Sequence, residues 1–197
     1  KIVCELPTLA GFSTTVKDPE LNRNHNIALA ASAIDGFVLQ PGEVFSLDKV
    51  LGPRLKSEGY KEARVISGGK SVPGVAGGIC QVSTTLYNAV LRAGLEIVER
   101  HPHSQPVDYV PPGFDATVSD EAGLDLRFKN QLDVPVTIGA RTEGARLTVQ
   151  IKAGLFTKRN VEVASEVLDV ERPRLIGANS DNVKVSGGKN GVRVAVW

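Results

Sequence analysis

The chain has 197 residues, of which 42% are hydrophobic, and a formal net charge of +1 from 23 lysines and arginines against 22 acids. This composition supports one main domain with a sizeable core and a small appendage, and it excludes a disordered chain. The basic residues are scattered among acids and leave no footprint for nucleic acid, and no run approaches the roughly 18 apolar residues of a membrane span.

Residues 1–17 read as an extended arm punctuated by Pro7 and Gly11. Within it, Cys4 reads as a small buried hydrophobe. Ile27, Ala30, Ala31 and Ile34 then repeat at helical spacing, the asparagines ahead of them supply capping groups, and Gly36 stops the pattern. A first helix is therefore expected over about 24–35, with Arg23 and His25 at its start. Pro41-Gly42 turns the chain into a strand-like run at 44–47. Glycines punctuate residues 52–78, where 63–66 is the one convincing strand, and that much glycine ahead of a helix suggests a close backbone approach to a ligand.

A second helix is expected over about 81–93. Val82, Leu86 and Val90 form its buried stripe, Tyr87 and Leu91 broaden it, and Gly94 ends it. Ser83, Thr84 and Thr85 crowd the first turn, where hydroxyls can serve free N–H groups. Residues 95–99 alternate as a strand leading into Arg100-His101-Pro102-His103-Ser104, and further strand-like runs fall at 107–110, 115–118, 124–129, 134–140 and 147–152. The fold class is α+β: an antiparallel sheet with two main helices over residues 1–153, and a small β-rich extension over 154–197. Both ends read as cut, so a signal or anchor is expected upstream of Lys1.

The chemistry centres on Cys80, which follows Gly77-Gly78-Ile79 at a helix start, where free N–H groups and the dipole favour the thiolate. A thiolate nucleophile needs a base and a third group to hold that base. His101 and His103 follow on the strand that returns from the helix, and Asp115 lies in a segment able to pair beside them. Spacing alone does not choose between the histidines. Cys80, His101 and His103 also offer ligands for an open zinc site, although i, i+2 histidines on an extended strand point to opposite faces. A Cys4–Cys80 disulfide would silence the thiol.

Asn22-Arg23-Asn24-His25-Asn26-Ile27, Pro41-Gly42-Glu43-Val44-Phe45-Ser46, the run Gly77-Gly78-Ile79-Cys80-Gln81-Val82-Ser83-Thr84-Thr85-Leu86-Tyr87-Asn88, Arg100-His101-Pro102-His103-Ser104 and Asp115-Ala116-Thr117-Val118 together resemble the VanW family of bacterial cell-surface proteins. The resemblance covers about residues 5–153. It implies a peptidoglycan L,D-transpeptidase with Cys80 as nucleophile, His103 as its base and Asp115 orienting the base. It also implies an oxyanion site at the Cys80 and Gln81 N–H groups with Ser104 in support, and a donor-stem site of Arg23, Gly77, Gly78 and Tyr87. The implied partner is the peptidoglycan stem peptide on the outer face of the cell, with no metal or organic cofactor. Two alternatives stay open: a cysteine carboxypeptidase or endopeptidase on the same stems, and a non-catalytic wall-binding module. The tail is similar to the start of a G5-type β module.

Overall fold

The computed structural model describes residues 6–16, 21–67, 70–154, 161–171 and 191–196. Cys4 and the expected strand around Val183 lie outside them. The strands are β1 (Thr8–Thr15), β2 (Val38–Leu39), β3 (Val44–Ser46), β4 (Glu62–Ser67), β5 (Lys70–Val75), β6 (Glu96–Glu99), β7 (Arg127–Lys129), β8 (Val136–Glu143), β9 (Arg146–Ala153), β10 (Ser165–Glu171) and β11 (Gly191–Val196). The helices are α1 (Leu21–Ile34), α2 (Leu47–Leu51) and α3 (Ile79–Arg92). The fold is α+β, with a four-stranded antiparallel sheet in the order β1-β9-β8-β2 and a second sheet in the order β3-β7-β6.

Alternation builds the large sheet. Val136, Ile138 and Ala140 of β8 and Leu147, Val149, Ile151 and Ala153 of β9 are all buried, and they share a core with the helices α1 and α3 that pack on these strands. α3 lies at the centre: every residue from Gln81 to Val90 is buried. Phe45 of β3 stacks on Phe128 of β7 at 4.8 Å, which ties the second sheet into the same core.

Several elements differ from the sequence-based expectation for local reasons. α1 begins at Leu21, ahead of the expected residue 24, and its asparagines do not cap it. Instead Asn22 Nδ2 donates to the Glu62 carbonyl at 2.8 Å, and Asn26 grips Lys61 through both its carbonyl and amide and donates to the Gly77 carbonyl at 3.0 Å. With His25 Nε2 at 2.9 Å from the Gly59 carbonyl, this motif clamps the approach to β4 and the entry to α3. The glycine loop folds as the hairpin β4–β5, and residues 107–110 form no strand. Ser46 caps the short α2 by accepting from the Lys49 N–H, so Leu47 closes no strand but opens a helix.

α3 starts at Ile79, two residues early, because Gly78 at φ 113° turns the chain directly into the helix. The hydroxyls of its first turns do not serve the helix N–H groups. Thr85 Oγ1 donates back to the Gln81 carbonyl at 2.6 Å, and Thr84 Oγ1 bonds both backbone groups of Ala116.

Candidate active site

Cys80 sits in the first turn of α3 as a free, partly buried thiol. From Cys80 to Arg92 the helix rises about 18 Å at 1.5 Å per residue. Gly94, at φ 68°, then reverses the chain, and an extended return from Leu95 reaches back about 26 Å by His103, at about 3.3 Å per residue, enough to regain the helix start. The segment 115–118 then runs along the same face of α3. Ala116 N–H donates to Thr84 Oγ1 at 3.0 Å and its carbonyl accepts from the same hydroxyl at 3.2 Å. Thr117 Oγ1 lies 3.4 Å from Cys80 Sγ, and the Val118 carbonyl lies 3.6 Å from it. Asn88, two turns further along the helix, donates to the Phe114 carbonyl at 2.6 Å and holds the upstream end of this strap.

This strap delivers Asp115 to His103. Asp115 Oδ2 accepts from the His103 backbone N–H at 2.6 Å and sits 2.8 Å from Nδ1 of the same residue. Arg100 holds the other carboxylate oxygen at 3.0 Å and the Asp115 carbonyl at 2.7 Å, while its guanidinium lies over the Tyr87 ring. With Nδ1 committed to Asp115, Nε2 is the ring nitrogen left to serve the thiol, and His103 and Cys80 lie close enough for each to shift the other's titration. His101 takes a different partner: its Nε2 pairs with Glu99 Oε1 at 3.0 Å.

The electrostatics favour a thiolate–imidazolium pair. Burial opposes a charge on His103, but hydrogen bonds to Asp115 and Cys80 outweigh it and push the imidazole up to about 9. Burial likewise opposes the Cys80 thiolate, yet the bond and charge of His103, with help from Thr117, bring the thiol below its ordinary range. Burial also works against the Asp115 carboxylate, and its bonds to His103 and the Arg100 charge hold it below the usual carboxylate range.

The remaining residues singled out from the sequence fall elsewhere. The Gln81 N–H is spent on the Gly78 carbonyl at 3.0 Å, and the Gln81 side chain is buried between Arg23 and Thr14. Ser104 is exposed in the bend after His103, and Tyr87 is 5% exposed within the core. The close approach at Gly77 and Gly78 is to the protein itself. A Cβ on Gly77 would stand 2.5 Å from the Arg64 carbonyl oxygen, and one on Gly78 would stand 3.0 Å from the Ile27 side chain. Arg23 reaches over the helix start, where Nη2 donates to Gln81 Oε1 at 3.1 Å, a neutral partner for the guanidinium.

Tyr109 is a site neighbour that sequence reasoning missed. Its phenol lies against Thr84 and close enough to Cys80 and Arg23 to feel both charges; burial first, then the Cys80 charge, holds it well above the ordinary tyrosine range. Nothing in the irregular run around it marked it out.

The sequence profile described as "VanW like protein" matches residues 22–152, from the clamp motif of α1 into β9. The chain belongs to the VanW family. Over 143 residues it is 48% identical to the Bacillus subtilis protein named "Uncharacterized protein YoaR", covering 73% of this chain and 47% of that one. Over 137 residues it is 30% identical to the "Vancomycin B-type resistance protein VanW" of Enterococcus faecalis, covering 67% of this chain and 50% of that one. The chain thus spans about half the length of these VanW relatives. No solved structure matches it. Cys80, His103, Asp115 and Thr117 all lie within the VanW-matched residues. Among the described residues, no helix is long and apolar enough to cross a membrane.

Proposed function

We propose that this VanW domain is a cysteine acyltransferase of peptidoglycan stem peptides, an L,D-transpeptidase working outside the cell. The observation that carries the reading is the Cys80 thiol in the first turn of α3 with His103 close enough to lower it, the His103 Nδ1 being held at 2.8 Å by Asp115. That order of nucleophile, base and orienting carboxylate is what acyl transfer through a thioester requires.

In the forward half-reaction the Cys80 thiolate attacks the carbonyl of the third residue of a tetrapeptide stem. The C–S bond forms, the amide C–N bond breaks, and His103 gives its proton to the departing D-alanine amine. In the second half, the side-chain amine of a neighbouring stem attacks the thioester carbonyl. His103 takes the proton from that amine, the C–S bond breaks, and the thiolate is restored with a 3→3 cross-link made. Arg23 suits a carboxylate of the donor stem, since a guanidinium fork matches two carboxylate oxygens and its partner here is a neutral amide. The residue division of 1–153 as catalytic domain and 154–197 as extension belongs to the same reading.

Incubation of the protein with tetrapeptide muropeptides, followed by intact-mass analysis, tests it. Transfer yields a Cys80-linked acyl adduct and cross-linked dimers. Tripeptide products without dimers indicate hydrolysis, and binding with no adduct indicates a wall-binding module; either result rejects the transpeptidase.

A further inference from the structure

Attack on a carbonyl moves negative charge from sulfur to oxygen, and a water-poor site must supply donors where that charge arrives. The helix start supplies fewer than its geometry suggests. The Gln81 N–H is spent on the Gly78 carbonyl at 3.0 Å and the Ile79 N–H is turned to the Ala76 carbonyl at 3.4 Å. Cys80's own N–H, one of the first four of the helix and so without an intrahelical acceptor, is left as a single backbone donor beside the sulfur.

We propose that the Thr117 hydroxyl is the second oxyanion donor of the Cys80 site, and therefore a catalytic residue. Its Oγ1 stands 3.4 Å from Cys80 Sγ on a backbone pinned from both directions. Thr117 N–H donates to the His101 carbonyl at 2.8 Å, and Ala116 is bonded to Thr84 through both its backbone groups. The Val118 carbonyl, 3.6 Å from the sulfur, accepts the S–H in the thiol form, so the Thr117 hydroxyl keeps its own proton for the thiolate. When the C–S bond forms and the carbonyl π pair moves onto oxygen, the new anion lies two bonds from the sulfur. A hydroxyl proton turns freely about its C–O bond. Thr117 can therefore follow the charge from sulfur to oxygen without moving its side chain, and it returns to the sulfur when the tetrahedral adduct expels its leaving group.

The proposal rests on Cys80 being an acyl-accepting nucleophile, and its test is independent of the natural substrate. Two reagents are compared on the whole chain. p-Nitrophenyl acetate acylates the thiolate through an oxyanion and releases p-nitrophenolate; iodoacetamide alkylates it by displacing iodide at a saturated carbon and forms no oxyanion. In Thr117→Val and Thr117→Ala, acetylation of Cys80 is expected to slow about 10²-fold more than alkylation, the size typical of one lost oxyanion donor. Thr117→Ser, which keeps the hydroxyl, restores it. Far-UV circular dichroism and the thermal midpoint establish that each variant is folded. Equal slowing of both reactions, no slowing of either, or a folded Ser variant without rescue overturns the assignment. So does a wild-type Cys80 that is alkylated but never acetylated. A wild-type protein that acetylates normally yet ignores muropeptides rejects the peptidoglycan reading alone.

Discussion

Replacing Asp115 by Asn removes one charge and almost no volume from the centre of the candidate site. The interval between an ordinary imidazole at 6.5 and His103 at about 9 favours the cation by about 3 kcal/mol at 1.36 kcal/mol per pH unit. Burial opposes that cation, so the Asp115 carboxylate and the Cys80 sulfur must together overcome the burial as well as supply the rise. In Asp115→Asn the amide still accepts a hydrogen bond, but Arg100, 3.0 Å away in the wild type, then faces the site without its counter-charge. His103 falls back toward or below its ordinary value, and Cys80 loses the imidazolium that lowers it. The assay is the rate of Cys80 alkylation by iodoacetamide from about pH 5 to about pH 10, read by intact mass. Wild-type protein should react rapidly at neutral pH, whereas the variant should be slower there by about ten- to a hundredfold and recover only as the medium itself ionises the thiol. A folded variant with the wild-type profile would refute the reasoning, because Asp115 would then be a structural clamp and not the support of a charged His103.

The alkaline limb of acyl transfer should lie near pH 9, where His103 loses its proton, and the limb should move downward in Asp115→Asn. Linkage makes a separate prediction. The raised His103 contributes stability that is complete below 6.5 and lost as pH rises through about 9, while the lowered Cys80 contributes stability that is complete above its ordinary 9.0 and lost as pH falls through its folded value. In that interval the folded pair keeps one proton on His103 and the unfolded chain keeps one on Cys80, so the contributions offset and the pair adds no slope. Cys80→Ala removes the thiol's side of this exchange together with the sulfur's share of the His103 rise; the share that Asp115 supplies should make the urea midpoint fall with rising pH above 6.5 relative to wild type. His103→Asn should abolish acyl transfer, whereas His101→Asn should leave it within about threefold of wild type, since the His101–Glu99 pair is partly exposed and such pairs contribute little. Gly77→Ala should lower the urea midpoint by an amount equivalent to about 1–3 kcal/mol, because its Cβ would press on the Arg64 carbonyl and the Ala63 backbone, which cannot rotate away.

The elements legible in the sequence were those with strong period. Val82, Leu86 and Val90 announced α3, and the alternation along 147–152 announced β9. Sequence reading failed where one residue type serves two purposes. Asparagines near a helix start cap helices in general, but Asn22 and Asn26 reach sideways to distant backbone, which has no local signature. Glycines before a helix suggest a ligand, but Gly77 leaves room for β4. For the site, a thiol at a helix start was legible because the dipole argument is local. The choice of His103 over His101 was not legible from spacing, since it depends on Asp115 and Glu99 pulling the two rings apart. Thr117 and Tyr109 were out of reach for the same reason, because each matters only through a neighbour far along the chain.

The strap along α3 separates two kinds of evolvability. Cys80, His103, Asp115 and Thr117 all fall within the single uninterrupted run 80–118, and they are spaced against one another by one helix and its return. Arg23 comes from upstream and meets that run at Gln81 and near Tyr109, while the hairpin β4–β5 packs on Gly77, just ahead of it. Sequence change in the upstream part can therefore alter what is admitted while the reacting atoms keep their separations. A graft of the 80–118 run between family members should carry the chemistry with it and leave selectivity behind.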